Sequence, residues 1–136
     1  MIIERGSKMA KMQRLEILIG GFMQESDGVQ GCAVVSRLGQ GDMLYEANLG
    51  GIDPAFLSTV VSSILLIGEK LGHELKGRDL GYTLIDYGCS AALIIPCSEE
   101  VALLVAVKGP TPQEKIIGAA GELARKIGGL LGNKMV

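Results

Sequence analysis

The amino-acid sequence predicts a single α/β domain in which a five-stranded, mainly antiparallel sheet is sandwiched by helices, in the order αββαβββα. The length of 136 residues is that of one hydrophobic core. Helical periodicity occurs in three separate stretches, and the segments between them are short apolar runs bounded by turn residues. Two of these runs are apolar at nearly every position, as in strands covered by helices on both sheet faces. The domain is expected to span 1–136, with its core at about 3–131.

The first predicted helix covers about residues 3–25. Its apolar residues recur at i, i+3, i+4 and i+7, and they are Leu15, Leu18, Ile19 and Phe22. Gly20 and Gly21 each cost about 1 kcal/mol relative to alanine within a helix. We therefore expect the C-terminal end of this helix to be irregular.

The first two strands are predicted to form a hairpin. The pair Asp27-Gly28 is a turn signal, and it leads into a buried strand at 30–36. A glycine-rich turn at 37–41 then returns the chain into a second strand at 43–48.

A central helix begins after Asp53, which is a typical N-cap residue, with Pro54 in the first helical turn. We expect it to run to about Leu75, because Gly77 follows and basic residues are found near its C-terminal end. The residues expected to face the sheet follow helical spacing. They are Leu57, Val61, Ile64, Gly68, Leu71 and Leu75.

The C-terminal part of the chain predicts three strands and a helix. The strands are expected at 80–87, 89–95 and 101–107. The sequence Thr111-Pro112-Gln113-Glu114 is a capping box, so the third helix is predicted to begin there. Its expected core residues are Ile116, Ala120, Leu123, Ile127 and Leu130.

The central helix has an outer side without charge. Between Asp53 and Glu69 no charged residue occurs, whereas a helix facing water normally carries lysine and glutamate. The outer residues are Ala55, Thr59, Ser62, Ser63 and Leu66, flanked by Phe56, Val60 and Ile67. We interpret this side as buried by a second chain; the alternative is a Ser/Thr-rich surface that lacks charge but faces water.

Composition disfavours several classes of function. The net charge of −2 and the aromatic content of 4% argue against nucleic-acid binding. Mean hydropathy is +0.36, but we expect no membrane-spanning run, no integral membrane association and no targeting signal. The cysteines at 32, 89 and 97 form no CxxC pair, which fits small buried apolar residues in a reducing, cytoplasmic protein.

No motif predicts catalysis or cofactor binding. The sequence contains no GxxxxGK[ST], GxGxxG or HExxH pattern, and its single histidine, His73, cannot build a multi-histidine metal site. Asp86, Glu99 and Glu100 lie at strand ends and turns, where carboxylates are usually solvated. We therefore predict no catalytic residue, no cofactor and no metal ligand. A basic cluster on the first helix, formed by Arg5, Lys8, Lys11 and Arg14, is read as a solvated face, or as a contact for an acidic partner or anionic lipid.

Three segments together resemble one family. Residues 27–39, DGVQGCAVVSRLG, resemble the opening hairpin of the roadblock/dynein light chain family. Residues 67–75, IGEKLGHEL, look like the end of its long central helix, and 94–105 look like its final hairpin. The resemblance covers the chain from the first helix to Leu131, and Gly20-Gly21 departs from it.

The resemblance implies a roadblock/profilin-like fold, with the central helix on one sheet face and the other two helices on the opposite face. It also implies a homodimer in which the third strands pair edge to edge and the central helices pack together. Some bacterial and archaeal members bind a small Ras-like GTPase and modulate its nucleotide cycle, whereas eukaryotic members serve dynein or endosomal adaptor complexes.

The predicted function is therefore a non-catalytic homodimeric regulator that binds a small Ras-like GTPase. The predicted dimer and partner interface consists of Phe56, Thr59, Val60, Ser62, Ser63, Leu66, Ile67, Tyr82, Leu84 and Asp86. A dimeric adaptor without GTPase contact, a small-molecule sensor, and an enzyme using a cysteine or a site shared across the dimer remain as alternatives.

Overall fold

A computed structural model describes residues 2–38, 43–109 and 113–132, with side chains from residue 9 onward. The predicted element order is confirmed. The elements are α1 (Ile2–Glu25), β1 (Val29–Ser36), β2 (Met43–Ala47), α2 (Pro54–Glu74), β3 (Thr83–Asp86), β4 (Ser90–Pro96), β5 (Val101–Lys108) and α3 (Glu114–Leu131). The glycine-rich turn predicted between β1 and β2 lies largely outside the described residues.

The five strands form one antiparallel sheet in the order β2-β1-β5-β4-β3. The nearly continuous apolar runs of β1, β4 and β5 occupy its middle, so they are covered on both faces as predicted. Gly31 allows the edge strand β2 to approach closely, because a Cβ there would lie 2.6 Å from the carbonyl oxygen of Ala47. β2 and β3 form the two edges.

Helices cover the two sheet faces unequally, and each face has its own apolar core. On one face α1 and α3 pack on the strands through Leu15, Ile19, Phe22, Ile116, Ala120, Leu123 and Ile127. On the other face α2 packs alone, through Leu57, Val61 and Leu65. This three-layer arrangement leaves the outer side of α2 without a second helix from the described chain.

Helix α1 is continuous through Gly20 and Gly21, so the expected irregularity is wrong. Ile19 and Phe22 on either side of the two glycines are buried against the sheet and α3. Burying such side chains contributes about 1.5–3 kcal/mol each, which offsets the cost of the glycines.

Helix α3 begins at Glu114, two residues later than the capping box predicts. Gln113 precedes it in an extended conformation, with ψ of 153°, and makes no side-chain capping bond. The backbone at Gln113 therefore cannot belong to the helix; Thr111 and Pro112 lie outside the described residues. At the other end Leu131 is fully part of the core, whereas the predicted Leu130 is only half-buried.

The predicted inner stripe of α2 is wrong at its C-terminal end. Leu71 is 58% exposed, and Leu75 is more exposed still, whereas Leu65, which the periodicity did not select, is fully buried. Gly68 faces inward at this end, and a Cβ there would lie 3.1 Å from the side chain of Leu80. The segment between α2 and β3, through Leu80, thus covers α2 at Gly68, while Leu71 and Leu75 stay exposed to solvent.

Candidate protein-interaction surface

The outer side of α2 is an apolar surface open to solvent. We call it the α2 outer face and define it by Phe56, Thr59, Val60, Ser63, Leu66, Ile67 and Leu71. Ile67 is 66% exposed, and Phe56 and Leu66 are exposed by more than half. Large apolar patches are uncommon on monomers and usually mark contact sites.

The start of α2 is fixed by local chemistry. The Asp53 side chain accepts a hydrogen bond from the backbone N–H of Phe56 at 3.2 Å, which confirms the predicted N-cap. On the inner side, the buried Ser58 hydroxyl donates to the carbonyl oxygen of Ser36 at 2.8 Å. The helix is therefore held against β1, and its orientation determines which side faces outward.

The serines of α2 have different surroundings. The Ser62 hydroxyl donates to the Ser36 carbonyl oxygen at 3.4 Å, so this predicted interface residue lies on the flank near β1. The Ser63 hydroxyl donates to the Thr59 carbonyl oxygen one turn earlier, at 2.8 Å. Because that donor is already satisfied, Ser63 can be covered by an apolar surface without leaving an unmet hydrogen bond.

Strand β3 lies at one edge of the sheet, and β5 and β4 separate it from β1. Its residues alternate between the two faces, so Ile85 packs with the α2 layer while Leu84 packs with the α1 and α3 layer. Asp86 is exposed and accepts a hydrogen bond from the backbone N–H of Gly88 at 2.8 Å, which closes the turn to β4. Tyr82 is exposed just before the strand.

The structure therefore brings most, but not all, of the predicted interface residues together. The predicted α2 residues other than Ser62 lie on the α2 outer face, whereas Leu84 has its side chain on the opposite side of the sheet. Sequence reasoning assigned Leu71 to the inner side of α2 and so missed it as a member of this face. Leu71 follows Ile67 by four residues, a spacing that places both on one side of a helix and could have identified it.

The C-terminal half of α2 is held by an ion pair. Arg37 at the end of β1 contacts the carboxylate of Glu69 at 2.6 Å, and its other terminal nitrogen donates to the carbonyl oxygen of Ser98 at 2.9 Å. The Arg37 side chain is only 12% exposed. It forms the wall of a cleft of about 450 Å³, which His73 and Arg78 also line. Arg37, the first residue of the turn predicted at 37–41, thus joins the end of β1 to α2 and to the turn between β4 and β5.

Replacing Arg37 with alanine is expected to lower the free energy of unfolding by about 1–3 kcal/mol, because it leaves the Glu69 carboxylate and the Ser98 carbonyl without this partner. Urea denaturation measures the change. Arg125→Ala is the matched control: Arg125 pairs with Glu122 on the surface of α3 and is 74% exposed, so its loss should cost less than about 1 kcal/mol. Equal losses in both variants would contradict a structural role for Arg37.

The three cysteines differ in burial. Burial raises the pKa of Cys32 and of Cys97 to about 12, and Arg37 opposes this rise only in part at Cys97. Both thiols are therefore protonated at neutral pH and are poor nucleophiles. Cys89 is exposed in the turn before β4, so the expectation that all three cysteines are buried is wrong for this one.

Helix α2 is long and apolar enough to cross a membrane by length and composition, with a mean hydropathy of 1.4. The expectation that the chain lacks such a run is wrong on these two measures. Its inner side, however, packs on the protein's own sheet through Leu57, Val61 and Leu65. The remaining apolar surface is the α2 outer face.

A five-stranded antiparallel sheet with one helix on one face and two on the other defines the class of three-layer α/β domains. This chain has the roadblock/LC7 fold. A roadblock/LC7 domain from Streptomyces avermitilis matches with a TM-score of 0.72 and 14% identity, over 85% of this chain and 96% of that one. Myxococcus xanthus MglB matches at 0.73 and 8%, over 87% and 94%. An MglB with a tetrameric arrangement matches at 0.76 and 14%, over 89% and 90%.

Sequence comparisons add little to the fold. No family model matches the chain. A leucine–tRNA ligase from Chromohalobacter salexigens is 31% identical over 85 residues, or 59% of this chain, and the chain spans 10% of that protein's length. Because the match covers so small a part of the ligase, it does not indicate that this chain has the ligase activity.

Proposed function

We propose that this protein is a cytoplasmic, non-catalytic homodimer that binds a small Ras-like GTPase and modulates its nucleotide cycle. One observation carries the proposal: α2 exposes an apolar outer face, in a domain whose sheet ends at the edge strand β3. An exposed apolar patch and an edge strand are both features that a second protein chain can cover. The resemblance to the roadblock family and the fold shared with MglB support the choice of partner.

The dimer would form around a two-fold axis. Pairing of β3 with the same strand of a second copy extends one sheet across both chains, and it places the two α2 helices side by side and antiparallel. Ser63 lies near the middle of the α2 outer face, so Phe56 would approach the partner subunit's Leu71. The exposed apolar side chains of the α2 outer face would then be covered by the partner subunit, whereas in a monomer they face water.

The GTPase would contact the side of the paired α2 helices that faces away from the sheet, together with the neighbouring loops. This surface lies on the opposite side of the sheet from α1 and α3. The test is to measure GDP release and GTP hydrolysis by a candidate Ras-like GTPase from the same organism, with and without the purified dimer. A dimer that binds no such GTPase would leave the adaptor function as the better explanation.

The purified chain alone is expected neither to hydrolyse GTP or ATP nor to bind them tightly. Phosphate cradling needs a glycine-rich loop with a lysine, or an equivalent magnesium site, and the sequence has no such motif. Phosphate release by the chain in the presence of magnesium measures this directly. Turnover that copurifies with the protein through a second chromatography step would overturn the non-catalytic assignment.

A further inference from the structure

Helix α1 has an uncharged outer side, opposite the side that packs on the sheet. Its inner side is buried through Leu15, Ile19 and Phe22. A second stripe lies on the opposite side of the helix at positions i, i+4, i+7 and i+11, and all its members are exposed. We call it the α1 outer stripe, and it consists of Gln13, Ile17, Gly20 and Gln24. A helix side that faces water normally carries charge, so this stripe is a candidate contact surface.

The α1 outer stripe combines a projecting apolar side chain with an open space. Ile17 is 73% exposed. A Cβ added at Gly20, about one turn further along, or at Gly21 would find no atom within 4 Å, so the helix surface is open at both glycines. An isoleucine from a second helix could occupy that space, because glycine lets two helix backbones approach closely.

The α1 outer stripe is complementary to itself when two copies run antiparallel. A two-fold axis between residues 18 and 19 would place Ile17 against the partner subunit's Gly20, because these two positions lie equally far from the axis. It would likewise place Gln13 against the partner subunit's Gln24. Each glutamine amide has donors and an acceptor, so the two can hydrogen-bond to each other. A contact around this axis therefore matches shape with shape and amide with amide.

The charges beside the stripe favour the same antiparallel arrangement. Arg14 and Glu25 lie on one flank of the stripe, and each lines a groove with residues of α3. Both are exposed, and neither forms an ion pair with another described residue. Around the two-fold axis, Arg14 of each copy would lie near Glu25 of the partner subunit, whereas parallel helices would bring like charges together. Glu16 lies on the opposite flank.

We infer that the α1 outer stripe binds the same stripe of a second copy of this chain, antiparallel, with Arg14 and Glu25 paired across the contact. This contact lies on the opposite side of the sheet from the α2 outer face, so it would join two dimers into a tetramer. It extends over residues 13–24, or about 17 Å of helix, and is partly polar. It is therefore expected to be weaker than the α2 contact and to form only at higher protein concentrations.

The test compares two charge reversals, alone and mixed, by sedimentation velocity of the full chain at high concentration, where the parent should form tetramers. Arg14→Glu and Glu25→Arg should each raise the dissociation constant of the tetramer by about tenfold or more, because the two-fold axis repeats each reversal in two ion pairs. An equimolar mixture of the two variants should recover most of the association, since every introduced charge can then meet an opposite charge. Two wrong halves thus make one right contact.

Lys76→Glu, which reverses an exposed charge after α2, is the matched control and should form tetramers like the parent. At the lower concentrations that give only the dimer, all α1 variants, Ile17→Glu included, should sediment like the parent. A parent chain without tetramers at any concentration would overturn the inference, as would a mixture of the two charge variants that fails to associate. If the α2 dimer does not form, the same variants distinguish monomers from dimers paired through α1, so the test does not depend on the proposed function.

Discussion

Replacing Ile67 with glutamate is expected to raise the dissociation constant of the dimer by about a thousandfold, because each subunit would place a charge in a contact from which water is excluded. Ile67 is 66% exposed in the single chain, so the change should leave the fold intact. Two such charges across a two-fold axis repel each other and find no partner. A cost of about 4 kcal/mol corresponds to this thousandfold change. Sedimentation velocity over a range of concentrations measures the shift.

Ile17→Glu is the matched control for this experiment. It changes the same residue type at a similarly exposed helical position, but on the other side of the sheet. The control should sediment like the parent chain. Ser63→Glu provides a second variant on the α2 outer face, and it should also weaken the dimer. A parent chain that sediments as a monomer at all concentrations, or dimers retained by both α2 variants, would contradict the proposed interface.

Binding to a Ras-like GTPase is expected to depend on the bound nucleotide, with affinities for the GTP-like and GDP states that differ by at least about tenfold. The switch segments of such GTPases are ordered by the γ-phosphate and its magnesium, so the two states offer different surfaces. Calorimetric titration of the partner, loaded either with GDP or with a non-hydrolysable GTP analogue, measures the difference. Equal affinities would indicate a scaffold that does not sense the nucleotide.

Any stimulation of hydrolysis is expected to come from repositioning of the partner's own catalytic groups. Helix α2 contains no arginine, and Arg37 is engaged with Glu69 and Ser98. Arg78, which is exposed after α2, is the candidate for direct insertion near this surface. Arg78→Ala should change single-turnover hydrolysis by less than about tenfold, as should the control Arg125→Ala. A loss specific to Arg78 of about a thousandfold would identify it as an inserted arginine instead.

Some features of the α2 outer face could be recognised from residue types alone, and others could not. The uncharged stretch after Asp53 predicts a helix whose outer side is covered by a second chain. In the single chain Phe56, Leu66 and Ile67 are exposed on that side, and their cover stays a prediction. The same lack of charged residues made the sheet-facing residues of α2 hard to predict. A helix that is apolar on nearly all sides gives periodicity little contrast, so Leu65 was missed.

Local rules determined the elements of this protein. Helical and strand periodicity, the Asp53 cap and the turn glycines act over a few residues, and they correctly predicted the order αββαβββα and an antiparallel sheet between helices. Only the tertiary structure decided which side of α2 faces out, why α1 remains regular through its glycines, and where Arg37 binds. Those outcomes depend on contacts between residues distant in sequence, such as Arg37 with Glu69 and Ser98, whose free energies no local pattern contains.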